Sequence, residues 1–410
     1  MNRRSHLAAL LIAVATLVPA SFCPADVKLP AIFTDNLVLQ RDMPVPIWGW
    51  AADGEKVTVT LGTQTKTALP ASPSGKWMVK LDAMKAGGPC TLTVAGKNTI
   101  TLKNVLIGEV WVCSGQSNMQ MSVNGVINAQ EEIAAANDPK IRLVSVPARG
   151  SQTPQEDFQG KWVECSPATV GGFSAAGYFF GRELSKSLGV PIGLINTSYG
   201  GSSCEAWVRR SVLEADPQYK PMLDRYATMI SDYDPVKAKA VYEKQRARWK
   251  VAAEKAKAAG TKAPYPPRLQ GDPRTGNHAP ANLYNAMLTP VLPYGMRGVI
   301  WYQGESNAGR AYQYRTLFPT MIENWRADWR QGDFPFYFVQ LANFMAEKPE
   351  PGESAWAELR EAQSMTLKLP NTGQAVIIDI GEAQDIHPKN KQDVGKRLAL
   401  WALAKTYGKD

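Results

Sequence analysis

The sequence predicts an α/β protein in which helices cover both faces of a mostly parallel sheet and a small β-sandwich precedes that sheet. Three observations carry this expectation. Residues 27–106 show short alternating runs broken by Gly, Asn and Ser turns, with no helical spacing. From Gly108 onward, apolar runs of strand length alternate with long amphipathic stretches. At 410 residues, 44% of them hydrophobic and 20% charged, the chain is ordinary in balance but too long for one small core.

The β-sandwich is expected over residues 26–106, with strands at 57–61, 77–81, 91–94 and 99–102. The second domain takes 107–410. Its strands are expected at 110–113, 141–146, 191–196, 298–302, 336–340 and 375–380. Helices are expected at 174–188, which stops at Gly189, and at 312–329, 355–367 and 391–407. A Lys/Ala-rich stretch at about 221–275, with Pro264, Pro266 and Pro267 near its end, reads as an inserted helical hairpin. It either overhangs the site or serves as a spacer.

Residues 1–25 read as a cleaved signal peptide. Arg3 and Arg4 open it, an apolar run fills 7–18, and Cys23-Pro24-Ala25 offers small residues before a cut. The run is too short to span a bilayer comfortably. Export to the periplasm or the cell exterior is therefore expected, with no stable membrane insertion afterwards. Cleavage removes two arginines and no acid, which lowers the formal net charge from +9 to +7. Many of the bases lie between Lys220 and Arg274, as a solvated helical face. No basic stretch interleaved with aromatics and no known module points to nucleic acid.

Cys90, Cys113, Cys165 and Cys204 remain after export, so one or two disulfides are expected to be possible in an oxidising compartment. Four cysteines allow three full pairings, and spacing does not choose among them. No Cys-x-x-Cys pair suggests a metal site. The only histidines beyond the leader are His278 and His387.

In parallel sheets ligands bind at the carboxyl ends of strands. After 110–113 comes Ser114-Gly115-Gln116-Ser117-Asn118-Met119. A serine in a tight glycine turn between strand and helix is how a nucleophile is presented, and the helix start offers backbone N–H groups to an oxyanion. After 191–196 comes Thr197-Ser198-Tyr199-Gly200-Gly201-Ser202, whose paired glycines let a backbone N–H approach a ligand. After 298–302 comes Gln303-Gly304-Glu305-Ser306-Asn307. Asn307 is a candidate side-chain donor to an oxyanion, and Glu305 could hold the loop or orient a neighbour. After 375–380 come Glu382, Asp385, His387 and Pro388. One such loop per strand end, in chain order, assembles a Ser, His, acid set.

Gly115-Gln116-Ser117-Asn118-Met119, Gln303-Gly304-Glu305-Ser306-Asn307 and Asp385-Ile386-His387-Pro388 together resemble the sialate O-acetylesterase group of SGNH hydrolases, a pattern that acetylxylan esterases share in large part. Gly200-Gly201 followed by Glu205-Ala206-Trp207 fits as well, as do Leu37-Val38-Leu39-Gln40-Arg41 and Trp48-Gly49-Trp50. The resemblance runs from about residue 28 to the end. It implies a three-layer α/β/α fold on a flavodoxin-like parallel sheet. It implies Ser117 as nucleophile and His387 as general base, then acid. The oxyanion donors would be the Ser117 N–H, the Gly201 N–H and the Asn307 side chain, with Gln116, Gln303 and Glu305 supporting the site. No metal or organic cofactor is implied.

The sequence also departs from the pattern. The position three before the histidine, where such enzymes often carry the acid, is Gln384. The orienting group is therefore Asp385, Glu382, Asp379 or a backbone carbonyl. Cys204 sits in the glycine-loop region, where nothing in the pattern accounts for it. Chains of this kind often continue with more β-structure beyond the point where this one stops. The expected partner is an acetylated carbohydrate. For a sialic acid, Arg149, Arg209 and Arg310 are candidates to meet the carboxylate; for a neutral sugar such as xylan, Trp207 offers an aromatic face. A non-catalytic carbohydrate-binding protein is the competing class. No Gly-x-Ser-x-Gly elbow and no His-Glu-x-x-His motif points to a lipase or a zinc peptidase.

Overall fold

The computed structural model describes residues 26–409, so the expected leader lies outside the described residues. Seven strands come first: β1 (Val38–Gln40), β2 (Val45–Trp50), β3 (Val57–Leu61), β4 (Gln64–Ala68), β5 (Lys76–Leu81), β6 (Gly87–Ala95) and β7 (Thr99–Gly115). In β3 and β5 every second residue is buried (Val57, Val59 and Leu61; Trp77, Val79 and Leu81), which is the period of a strand with one wet face. β3 pairs antiparallel with β4 and β6, β6 pairs antiparallel with β7, and β2 and β5 form a separate antiparallel ribbon.

β7 is one unbroken strand where the sequence suggests two strands and a domain boundary at 106/107. Its first residues alternate between buried and exposed, and from Val105 onward every residue is buried. The change of pattern marks the point where the strand becomes covered on both faces, while the backbone runs straight on. A buried carboxylate fastens the two halves: Glu109 accepts from Gln40 Nε2 at 3.0 Å, from Arg41 Nε at 2.5 Å and from Arg297 Nε at 2.8 Å.

The remaining strands are β8 (Asp138–Ser145), β9 (Val163–Cys165), β10 (Ile192–Asn196), β11 (Gly298–Tyr302), β12 (Phe336–Val339) and β13 (Thr372–Ala375). They join β7 in the order β13-β12-β11-β7-β10-β8-β9, parallel throughout except for β9. The helices are α1 (Ser117–Gln120), α2 (Ala129–Ala135), α3 (Ala175–Leu188), α4 (Arg210–Ala215), α5 (Lys220–Ser231), α6 (Pro235–Ala258), α7 (Ala311–Trp329), α8 (Ala355–Met365) and α9 (Lys391–Trp401). Both sheet faces are covered. Trp111 of β7 meets Phe180 of α3 at 5.0 Å and Tyr337 of β12 meets Trp401 of α9 at 6.3 Å. On the opposite face Trp301 of β11 meets Trp325 of α7 at 5.7 Å.

The strand expected at 375–380 is displaced. β13 ends at Ala375, and Val376 and Ile378 are about half exposed beyond it. β13 is the edge strand, and its one neighbour, β12, ends at Val339 opposite Ala375, so the residues beyond have no strand to pair with. The Lys/Ala-rich stretch forms α5 and α6. Asp234 caps α6 by accepting from the N–H groups of Val236 and Lys237, and Ala238 is the only residue of α6 that is buried.

No disulfide links the cysteines among the described residues, contrary to the expected possibility. Cys113, Cys165 and Cys204 are buried in separate packing environments, and burial pushes each thiol up, Cys165 to about 12. Among the described residues no helix is long and apolar enough to cross a membrane.

Candidate active site

Register decides which loops meet. Tyr302 lies opposite Gly115, and Asn196 opposite Cys113, so the loops after β7, β10 and β11 leave one edge of the sheet together. The turn after β7 requires glycine. Gly115 has φ +137°, and a Cβ there would sit 2.1 Å from the Tyr302 carbonyl oxygen. That close passage lets the Gln116 N–H donate to the same carbonyl at 2.9 Å and starts α1 at Ser117.

Ser117 Oγ lies 2.8 Å from His387 Nε2. The residues are 270 apart in sequence, and the loop after β13 brings them together. Of the possible orienting groups, Asp385 faces the imidazole. Its Oδ1 lies 3.2 Å from His387 Nδ1 and also accepts the His387 backbone N–H at 2.9 Å. That backbone bond is the main reason the Asp385 carboxyl is held below its ordinary value. The contact is long and wet, with 42% of the Asp385 side chain and 39% of the His387 side chain exposed. Asp379 is turned away to Arg397, and Glu382 accepts the Lys389 N–H.

The supporting residues lock the loops together. Gln116 Oε1 accepts from the N–H groups of Gly304 and Ser306. Gln303 Nε2 donates to the Ser202 carbonyl at 3.1 Å and to Asn307 Oδ1 at 2.7 Å, while its Oε1 accepts from Tyr314. Glu305 Oε1 accepts from Asn118 at 2.6 Å; its Oε2 is buried with no partner, and burial raises its carboxyl.

Asn307 sits just beyond the end of β11, in a network that uses one of its two side-chain N–H groups. It is 1% exposed, its Nδ2 donates to the buried carboxylate of Glu205 at 3.0 Å, and its Oδ1 accepts from the Cys204 N–H at 2.9 Å. Its Oδ1 holds the Cys204 segment, which gives Cys204 its place: the thiol packs against Met321 and Leu317. The second hydrogen of Nδ2 has no acceptor among the described residues. The backbone supplies two further donors. The N–H groups of Ser117 and Gly201 have no acceptor among the described residues, whereas that of Gly200 is taken by Gln120 Oε1 at 2.7 Å. Gly201 has φ +68°, a left-handed conformation that favours glycine.

The expected sugar-binding residues are also engaged elsewhere. Arg310 pairs with Glu205, Arg209 with Asp328, and Arg149 donates to the Asp157 carbonyl. Trp207 is fully buried against Trp301. His278 makes no hydrogen bond to Ser117 or His387 among the described residues; burial lowers its pKa, and its neighbour Asn277 steadies the glycine loop by donating to the Gly200 carbonyl at 2.7 Å.

Sequence reasoning missed Lys391, Asn118, Glu205 and Gln120 as parts of the site. Asn118 and Glu205 stood inside motifs that were already visible. Lys391, at the start of an amphipathic helix, gave no signal that it was buried.

The fold and this edge define a hydrolase of the carbohydrate esterase class. A family model described as "Carbohydrate esterase, sialic acid-specific acetylesterase" matches residues 107–245 and 275–404. The chain is 34% identical over 417 residues to the sialate O-acetylesterase of Mus musculus, covering 92% of this chain and 73% of that protein. It is 32% identical over 419 residues to that of Homo sapiens, covering 93% and 71%. A solved carbohydrate acetylesterase from Xanthomonas citri superposes with a TM-score of 0.76 at 39% identity, over 93% of this chain and 76% of that one. The chain belongs to the sialic acid-specific acetylesterase family and is a carboxylic-ester hydrolase.

Proposed function

We propose that this protein is a carbohydrate O-acetylesterase that works through Ser117 and a covalent acetyl-enzyme. The observation that carries the proposal is the 2.8 Å contact between Ser117 Oγ and His387 Nε2 at the carboxyl edge of the sheet. His387 Nε2 takes the Ser117 proton as Oγ bonds to the acetyl carbonyl carbon. The tetrahedral oxyanion is met by the N–H groups of Ser117 and Gly201, each contributing about 3 kcal/mol. The carbon–oxygen bond to the sugar breaks, and the alcohol leaves with the proton from His387. Water, deprotonated by His387, then releases acetate and restores Ser117. Asp385 keeps Nδ1 protonated and the ring aligned.

Sialic acid is the favoured sugar, because the relatives at 32–34% identity are named sialate O-acetylesterases. Residues 26–106 are proposed as a β-sandwich domain and 107–410 as the SGNH-type, flavodoxin-like α/β/α domain, with the helical insertion at about 221–275. Export to the periplasm or cell exterior is proposed from the basic and apolar pattern of residues 1–25.

The test is mass spectrometry of the protein quenched during turnover of acetylated sialic acid and, separately, of acetylated xylan. An acetyl group on the Ser117 peptide and faster release from the sialic acid are expected. Binding of either glycan without hydrolysis would instead support a carbohydrate-binding protein.

A further inference from the structure

Lys391 is the first residue of α9 and is completely buried. Its position is costly twice over. A buried ammonium loses its hydration, and a cation at a helix N-terminus opposes the helix dipole. Among the described residues no carboxylate lies within salt-bridge distance of it. Nζ instead donates to Asn118 Oδ1 at 2.7 Å and to the Pro388 carbonyl at 2.6 Å, and lies 5.4 Å from the centre of the Tyr302 ring. Burial lowers its pKa to about 7. A lysine kept under these terms needs a reason beyond filling space.

Its contacts supply one. Asn118 is the neighbour of Ser117, and its Nδ2 donates to the Ile386 carbonyl at 2.9 Å as well as to Glu305 Oε1 at 2.6 Å. The carbonyls of residues 386 and 388 are therefore held by Asn118 and Lys391, which are themselves bonded to each other. Glu305, from the loop after β11, anchors the pair. The chain on both sides of His387 is tied to the residue next to Ser117.

We propose that Lys391 is a positioning residue: with Asn118 it clamps the peptide carbonyls on both sides of His387 and so fixes the approach of Nε2 to Ser117 Oγ. The proposal rests on Ser117 and His387 being the reacting pair. Misplacing a reacting group by about 1 Å is enough to cost roughly a hundredfold in rate.

The test uses the full chain with Lys391→Met, Asn118→Ala and the double variant, beside Ser117→Ala and His387→Ala. Turnover of a small chromogenic acetyl ester and the rate at which an organophosphonate labels Ser117 are both measured. The second rate reports the Ser–His pair without any sugar contact. Lys391→Met is expected to stay folded, to keep KM, and to lose roughly ten- to a hundredfold in kcat and in labelling rate alike. The double variant should be little worse than the poorer single, because both remove one clamp. A folded Lys391→Met with kcat and labelling within twofold of the parent overturns the proposal, as does a rise in KM alone. Full multiplication of the two single effects also overturns it. If Lys391→Met does not fold, Asn118→Ala decides the matter by the same limits. Activity retained in Ser117→Ala or His387→Ala would instead sink the serine mechanism, whatever Lys391 does.

Discussion

The two sides of His387 are built differently. On one, Asp385 meets the imidazole over 3.2 Å from a half-exposed position, and its oxygen is shared with a backbone N–H. On the other, Asn118, Lys391 and Glu305 form a buried network with bonds of 2.6–2.9 Å to the histidine loop and to one another. Water competes for the first contact and is excluded from the second. In the proposed mechanism, orientation of the base is therefore divided: the exposed carboxylate would set the tautomer, and the buried network the position.

The largest effect should come from the pair both sides serve. Ser117→Ala and His387→Ala are each expected to lower kcat by about 10⁴-fold or more, measured with a chromogenic acetyl ester. Lys391→Met should follow, with the ten- to hundredfold loss estimated above. Asp385→Asn should cost less, about tenfold or under, because solvent already weakens that contact. A loss from Asp385→Asn larger than that from Lys391→Met would reverse the comparison.

The two sides should also differ in stability. Lys391 has its pKa lowered from 10.5 to about 7, with Glu305, Asp385 and Glu382 acting on it against the burial cost. A folded-state pKa below the unfolded value costs stability fully below about pH 7, and the cost fades as pH rises towards the unfolded value. The stability of Lys391→Met relative to the parent, from urea unfolding, should therefore fall between about pH 6.5 and about pH 9.5. A gap that does not move with pH would mean that Lys391 is not desolvated. The smallest effect is expected from His278→Ala, which should leave kcat within about twofold, since His278 takes no part in the Ser117 pair.

Much of this was legible in the sequence because strand ends are legible. Ser117 and His387 each follow a short apolar run, and only two histidines were available for a base. The register that joins the loops follows from parallel pairing. What stayed hidden depends on partners distant in sequence. Asn307 showed an amide at a strand end, but not the Glu205 carboxylate, 102 residues away, that takes one of its N–H groups. Arg310 showed a cation, but not the same carboxylate beneath it. β7 showed a change of pattern at the proposed domain border, but not that one continuous strand carries the chain across it. Lys391 looked like any surface lysine at the start of a helix, and only the packed loops around it make it part of the site.

The most direct measurement is steady-state hydrolysis of a small chromogenic acetyl ester by the chain, beside its Ser117→Ala variant. Turnover by the parent and none above background by the variant is the expected result. Equal turnover by both, or none by a well-folded parent, would contradict Ser117 as the nucleophile of an acetylesterase.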